Sequence, residues 1–347
     1  MCGIGGILSK HGKLIEAKKI ITLMDTMNYR YNGLGGGFSG YGIYPKYKEL
    51  YALHILYRDE IAKERLEESL KDEKIIIYKE EEIPTRNIKE IPKEMLSWRY
   101  FVDTHEDVKN KDDYIVDLVM GINQAENGAF VCSSGKNMGV FKATGYPKDV
   151  ARLFKVDKYK GHIWLGHGRF PTNTPGWWGG AHPFNILDWS VVHNGEISSY
   201  GINRRYLETW GYKCTLLTDT EVVAYLCDLL VRRHKLPLKI AAEVLTPDFW
   251  KHTKRMSEKE RKLLKVIRMT YGSAMLNGPF GIIVANRNSM MGLNDRIKLR
   301  PLIAAETEDF SYLASEEAAI MSICSNPDKI WAPKAGEPVI ARVLKNE

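Results

Sequence analysis

The apolar runs of this sequence are short, and their shortness limits the possible folds more than any other feature. The longest are strand-sized pieces such as residues 280–285, whereas a membrane helix needs roughly 18 consecutive apolar residues. Amphipathic helical patterns separate these pieces, so periodicity alone predicts a mixed α/β protein with no membrane partner. Strands are predicted at residues 3–8, 163–165, 190–193, 280–285, 302–306 and 312–314.

Composition excludes several functional classes. The 347 residues include 50 Lys and Arg and 43 Asp and Glu, a net charge of +7, and the two signs are interleaved, so no nucleic-acid partner is required. Five cysteines without a CxxC pair argue against a disulfide framework and against a metal site. The N-terminus carries neither a basic leader nor a long apolar segment, so we expect no signal peptide and a cytoplasmic protein.

Two helix starts are readable. Thr218 with Glu221, and Ser257 with Glu260, have the spacing of capping boxes. The second helix, residues 257–268, carries several Lys and Arg side chains. A solvated face is favoured there, and nucleic-acid binding is the alternative.

A GxGxxG pattern at Gly35, Gly37 and Gly40 is rejected as a dinucleotide site. No strand pattern precedes it, and Pro45 blocks the helix whose N-terminus would hold the phosphates. We interpret this run as a flexible turn or a close approach of backbone. Residues 45–160 contain no recognisable chemistry, and we interpret them as an inserted subdomain.

Cys2 is a candidate nucleophile. Methionine is usually removed before a small residue, which would leave Cys2 at the N-terminus. Its α-amine, with a pKa of about 7.7–8.0, could then take the proton of the thiol, whose pKa is about 8.5. The alternative is a small buried residue that begins a strand.

Five further segments accompany Cys2 in order along the chain. They are Gly166-His167-Gly168-Arg169-Phe170, Ala181-His182-Pro183-Phe184, Val192-His193-Asn194-Gly195-Glu196, Thr218-Asp219-Thr220-Glu221 and Asp295 to Leu302 with Ala314-Ser315-Glu316. With Met1-Cys2-Gly3-Ile4, this series resembles class II glutamine amidotransferases, which are N-terminal nucleophile hydrolases. The last segment is similar to the closing part of the amidotransferase domain in glutamate synthase and phosphoribosyl-diphosphate amidotransferase.

The resemblance implies a role for each candidate residue. Cys2 would attack the γ-amide of glutamine, and the Asn194 side chain with the Gly195 N–H would form the oxyanion hole. Arg169 would bind the substrate carboxylate, and Asp219 the substrate ammonium. His182 is given a supporting role beside the substrate loop.

Each of these residues also has an ordinary structural explanation. Arg169 could form a surface ion pair, and Asp219 could simply favour a helix N-terminus. Asn194-Gly195 could be a hairpin turn, and His167 and His193 could be packed core histidines.

The fold that the resemblance implies is α+β: a four-layer αββα sandwich of two antiparallel sheets with an inserted subdomain. One segment departs from the family. Many members carry His-Arg-Gly early in the chain, where this sequence reads Tyr29-Arg30-Tyr31-Asn32-Gly33. That departure leaves the detail of the pocket open.

The ammonia would need an acceptor. No recognisable acceptor domain, flavin site or iron–sulfur cysteine run follows, so we expect no cofactor in this chain. We expect a separate glutamate synthase core subunit, carrying FMN and an iron–sulfur cluster, as the partner. Two alternatives stay open: a non-catalytic scaffold or glutamine sensor, and an amidase for a different amide.

Overall fold

The computed structural model describes residues 1–91, 95–124, 128–171 and 176–344. Strands and helices are numbered in chain order. The strands are Gly3–Ser9 (β1), Ile15–Glu16 (β2), Gly36–Tyr41 (β3), Tyr51–Tyr57 (β4), Ile75–Glu82 (β5), Leu96–Thr104 (β6), Ala129–Ser133 (β7), Met138–Ala143 (β8), Lys160–Gly161 (β9), Ile163–Gly168 (β10), Phe184–Ile186 (β11), Trp189–Gly195 (β12), Phe280–Asn286 (β13), Ser289–Asn294 (β14), Ile303–Glu306 (β15), Phe310–Ala314 (β16), Lys329–Trp331 (β17) and Val339–Arg342 (β18). The α-helices are Lys18–Thr26 (α1), Glu60–Leu70 (α2), Lys111–Gln124 (α3), Pro147–Leu153 (α4), Tyr200–Glu208 (α5), Asp219–Cys227 (α6), Leu238–Leu245 (α7), Trp250–Thr253 (α8), Glu258–Tyr271 (α9) and Glu317–Met321 (α10).

Two antiparallel sheets form the centre of the molecule. One has the strand order β17-β15-β16-β1-β10-β3-β8, and the other β11-β12-β13-β14-β18. Their inner faces share one apolar cluster, to which Ile4 and Leu8 of β1 and Ile283 of β13 contribute. Ile7, between Ile4 and Leu8, faces the opposite way, because successive strand residues alternate between faces.

Helices cover both outer faces. Helices α1, α4 and α10 pack on the seven-stranded sheet through residues such as Met24, Val150 and Ile320. Helices α5, α6, α7 and α9 pack on the five-stranded sheet. The predicted four-layer αββα sandwich is therefore confirmed.

The chain leaves the sandwich between β3 and β8, which are neighbours in the seven-stranded sheet. In between it builds a third antiparallel sheet, with the order β5-β6-β4-β7, together with α2 and α3. The range 45–160 given for the inserted subdomain also includes β8 and α4, which pack with the sandwich. The third sheet itself ends at Ser133.

Local details correct two interpretations. Thr218 caps α6 by accepting from Glu221 N–H, but the Glu221 carboxylate accepts from Thr215 and Leu216 N–H instead of completing a capping box. Ser257 and Glu260 do form the predicted box. The glycine run is strand β3 rather than a turn; the close approach is present, because a Cβ on Gly37 would lie 2.3 Å from the His182 carbonyl oxygen.

Within the described ranges, no helix is both long enough and apolar enough to cross a bilayer. The same residues contain no group of three or more His, Cys, Asp or Glu side chains arranged to hold a metal ion.

Candidate active site

Strand pairing brings the N-terminus beside Arg169. Strands β1 and β10 are antiparallel neighbours in which Gly3 pairs with Gly168, so Cys2 and Arg169 leave the sheet edge side by side. The Cys2 Sγ accepts a hydrogen bond from Phe170 N–H at 3.3 Å. Two segments more than 160 residues apart in the sequence thus meet at one point.

A buried arginine holds the Cys2 backbone. Arg30 Nε donates to the Cys2 carbonyl oxygen at 3.1 Å, and its Nη1 lies 2.5 Å from Glu316 Oε1. Tyr29 also donates to Glu316. Neither Arg30 nor Glu316 was assigned a role in the sequence analysis. Arg30 lies in the segment that departs from the family, and Glu316 lies in the closing segment.

Arg169 is almost fully buried, with 6% of its surface exposed. Gly180 allows this burial, because a Cβ there would lie 2.6 Å from Arg169 Nη1. Burial lowers the pKa of the guanidinium, against the raising effect of the nearby Cys2, Asp219 and Glu196. An arginine nevertheless remains charged in proteins, so the site holds a fixed cation.

Asp219 is held by a small hydrogen-bond network centred on Thr220. The Thr220 hydroxyl donates to Asp219 Oδ1 at 3.1 Å. Because it has one proton to give, it must accept from the two histidine nitrogens beside it, His182 Nε2 at 2.9 Å and His193 Nδ1 at 3.0 Å. Ile197 N–H donates to the other carboxylate oxygen of Asp219.

This network keeps Asp219 charged. Burial acts to raise the pKa of its carboxyl, but His193 and the hydrogen bonds from Ile197 and Thr220 hold that pKa below its usual range. Burial places the pKa of His182 well below its usual value, so its imidazole is neutral. Both His167 and His193 are buried, as the structural alternative anticipated.

Asn194 and Gly195 end strand β12 at the same edge. Asn194 is 1% exposed, and its Nδ2 has no hydrogen-bond partner among the residues that the structure describes. An unpaired buried donor is costly. Gly195 has φ of +137°, and a Cβ there would lie 2.0 Å from the Pro279 carbonyl oxygen, so only glycine fits.

Five of the six candidate residues line one cavity of about 220 Å³: Cys2, Arg169, His182, Gly195 and Asp219. Asn194 is not a lining residue, but its neighbours in the sequence, His193 and Gly195, are. Phe170, Glu196 and Tyr200 also line the cavity and were given no role from the sequence.

The Cys2 thiol sits in an environment with opposing effects. Burial raises its pKa, while the Phe170 N–H, the terminal amine and Arg169 lower it. Burial also lowers the pKa of the terminal amine, which Met1 carries in this structure.

The family model described as "Glutamine amidotransferases class-II" matches residues 115–333. The chain belongs to this family. The matched range begins after Cys2 and includes Arg169, His182, Asn194, Gly195 and Asp219.

The proteins that are similar to this chain differ in the fraction of their length that aligns with it. An uncharacterized protein of Archaeoglobus fulgidus is 49% identical, over 100% of this chain and 93% of that protein. The glutamine amidotransferase-like protein GlxB of Rhizobium meliloti is 28% identical over 59% of each chain. Among solved structures, the glutamine phosphoribosylpyrophosphate amidotransferase of B. subtilis matches at 16% identity and a TM-score of 0.48, over 98% of this chain and 47% of that one.

Proposed function

We propose that this chain hydrolyses L-glutamine to glutamate and ammonia through a thioester on Cys2. The observation that carries this proposal is one compact cavity that holds a thiol, a buried cation and a partly buried carboxylate: Cys2, Arg169 and Asp219. A cation and an anion together fit the head group of an amino acid. The thiol would then face the side chain of the bound amino acid.

The chemistry requires prior removal of Met1: hydrolysis of the Met1–Cys2 peptide bond releases methionine and leaves the α-amine of Cys2 free. That amine takes the thiol proton, directly or through water, and Sγ attacks the γ-carbonyl carbon. The unpaired Nδ2–H of Asn194 and the Gly195 N–H stabilise the resulting oxyanion. The C–N bond breaks, the nitrogen takes the proton and leaves as ammonia, and the thioester remains.

Water completes the cycle. It adds to the thioester carbonyl while the Cys2 amine takes its proton, and collapse releases glutamate and returns the proton to sulfur. The sum is glutamine plus water giving glutamate plus ammonia. Arg30 contributes by fixing the Cys2 carbonyl, so that the amine and sulfur keep one orientation.

We further propose that the ammonia passes to a separate glutamate synthase core subunit carrying FMN and an iron–sulfur cluster. The similarity of residues 295–302 and 314–316 to the closing segment of the glutamate synthase amidotransferase domain supports this partner. Affinity purification from native cells should return a flavoprotein, visible by its absorbance. A purification that returns no flavoprotein would count against this partner without affecting the glutaminase proposal.

The test of the glutaminase proposal is glutamate release by the chain after mass spectrometry has verified loss of Met1. Cys2→Ala should abolish release, and Cys324→Ala, which removes another partly exposed thiol, should leave it unchanged. Tight glutamine binding without turnover, with or without the partner, would favour the sensor. Cleavage of another amide with glutamine ignored would favour an amidase.

A further inference from the structure

A second cavity, of about 460 Å³, lies between the third sheet and the sandwich. Its apolar walls include Leu56 of β4, Leu96 of β6 and Leu153 of α4. Solvent reaches it on the side of Glu82 and Arg86, which are exposed. Among the residues that the structure describes, none lines both this cavity and the Cys2 cavity.

Lys142 lines this cavity and is 3% exposed. Strand alternation explains its burial: Met138 and Val140 of β8 face the interior between the sheets, and Lys142 follows on the same face. Its ammonium lies 4.4 Å from the centroid of the Phe184 ring and 5.8 Å from that of Phe130. Aromatic faces attract a cation but do not neutralise it.

The ammonium has no carboxylate within ion-pair distance in the part of the chain that the structure describes. The carboxylate that affects it electrostatically is Glu221, whose oxygens already accept from Thr215, Leu216 and Tyr225. Burial lowers the pKa of Lys142 to about 8, with Cys132 and Glu221 raising it and Arg169 lowering it. A buried charge without a partner is costly. An anion that paired with this ammonium would therefore reduce the cost of burying it.

One short turn joins the two cavities. In the 3-10 turn Trp178–Gly180, Trp178 lines the Lys142 cavity and Gly180 lines the Cys2 cavity against the Arg169 guanidinium. A second connection runs through Phe184, which lies against Lys142 on one side and the His182 ring, 4.9 Å away between centroids, on the other.

We propose that the Lys142 cavity is an effector site for a small carboxylate with an apolar body. The carboxylate pairs with the Lys142 ammonium, and the body contacts the leucine walls and Trp178. A monoanion fits better than a dianion, because the interior supplies the single charge of Lys142, and the opposite charges of Glu82 and Arg86 at the entrance offset each other. Occupancy moves the Trp178–Gly180 turn and so changes the position of Arg169; this coupling rests on the proposed glutaminase function, whereas the binding does not.

Calorimetry with phenylacetate tests the binding, and phenylacetamide is the uncharged control. We expect phenylacetate to bind the unmodified chain, and the amide to bind at least tenfold more weakly. Lys142→Met should weaken phenylacetate at least tenfold, and Lys148→Met, which removes an exposed charge on α4, should not. Leu153→Trp, which fills the cavity and keeps Lys142, should also weaken binding.

The site would be overturned if phenylacetate did not bind, or if it bound Lys142→Met and the unmodified chain with equal affinity. Equal affinities of phenylacetate and phenylacetamide for the unmodified chain would also overturn it. Kinetics test the coupling separately. Saturating phenylacetate should change the KM for glutamine severalfold in the unmodified chain and not in Leu153→Trp. An unchanged KM would overturn the coupling. If the chain had no glutaminase activity, calorimetry would still decide whether phenylacetate binds.

Discussion

The two cavities beside the Trp178–Gly180 turn hold their charges in opposite ways. In the Cys2 cavity, the partly buried Asp219 carboxylate receives hydrogen bonds from Ile197 and Thr220. In the other cavity, the Lys142 ammonium lies against the rings of Phe130 and Phe184, and no described carboxylate forms an ion pair with it. The first arrangement satisfies the charge of Asp219 with hydrogen bonds from the protein. The second arrangement leaves the Lys142 ammonium available to form an ion pair with a bound anion.

The unpaired donor of the Cys2 cavity gives the largest expected effect. Asn194→Ala should lower kcat for glutamine hydrolysis by about 10²–10³ with little change in KM, because an oxyanion-hole donor acts on the transition state. Steady-state kinetics measure this split. Asn286→Ala, at the end of β13, is the control; a larger effect on KM than on kcat would remove Asn194 from the oxyanion hole.

The unpaired cation of the second cavity should show in stability. The pKa of Lys142 is about 8 in the folded chain against an ordinary 10.5, so the unfolded chain binds more protons between those values. Stability therefore rises with pH from about 8 to 10.5, and burial of the charge costs about 3 kcal/mol below that window.

Lys142→Met should accordingly be more stable than the unmodified chain at pH 7, by a few kcal/mol, and the difference should shrink as the pH approaches 10.5. Urea unfolding at several pH values measures both. Lys148→Met should follow the unmodified chain. A Lys142→Met variant that is less stable at pH 7 would mean that the ammonium already has a partner.

Arg169→Lys keeps the positive charge of the Cys2 cavity and removes the planar fork. We expect KM for glutamine to rise by about 10–100-fold, since charge-assisted hydrogen bonds are worth about 1.5–3 kcal/mol. Arg204→Lys, on the surface of α5, is the matched control. If KM is the same in both variants, Arg169 does not bind the substrate carboxylate.

Thr220→Val tests the network behind Asp219 without touching a charge. The valine keeps the volume but leaves His182 and His193 without their shared acceptor, at a cost of about 1–3 kcal/mol in unfolding free energy. The KM for glutamine should also rise as Asp219 loses a donor. Thr209→Val, at the exposed end of α5, should change neither; a loss of stability with unchanged KM would make Thr220 purely structural.

Much of the sandwich could be predicted from the sequence, because its strands are short apolar pieces with clear ends. Strands β1, β10, β12 and β13 fall where the pattern put them. The two-sheet sandwich and the grouping of Cys2 with Arg169 came from the family resemblance. The order of the strands in each sheet was not predicted, since pairing across so long a separation leaves no local signal. The glycine run of β3 was missed as a strand because its residues lack the β-branched side chains that mark one.

The second cavity could not be predicted from the sequence, for a related reason. Lys142 looks like an ordinary surface lysine until β8 is placed at the sheet edge, with Phe130 and Phe184 beside it. Arg30 and Glu316 were missed in the same way, because they meet only after the chain has folded. When two side chains that contact each other are distant in the sequence, no local spacing pattern predicts their contact.

The central claim is that Cys2 is the nucleophile, and the thioester tests it most directly. Samples of the Met1-processed chain should be acid-quenched during glutamine turnover and analysed by peptide mass spectrometry. We predict a γ-glutamyl adduct on the N-terminal peptide, located at Cys2 and absent from Cys2→Ala. Turnover that persists in Cys2→Ala, or an adduct on another residue, would contradict the claim.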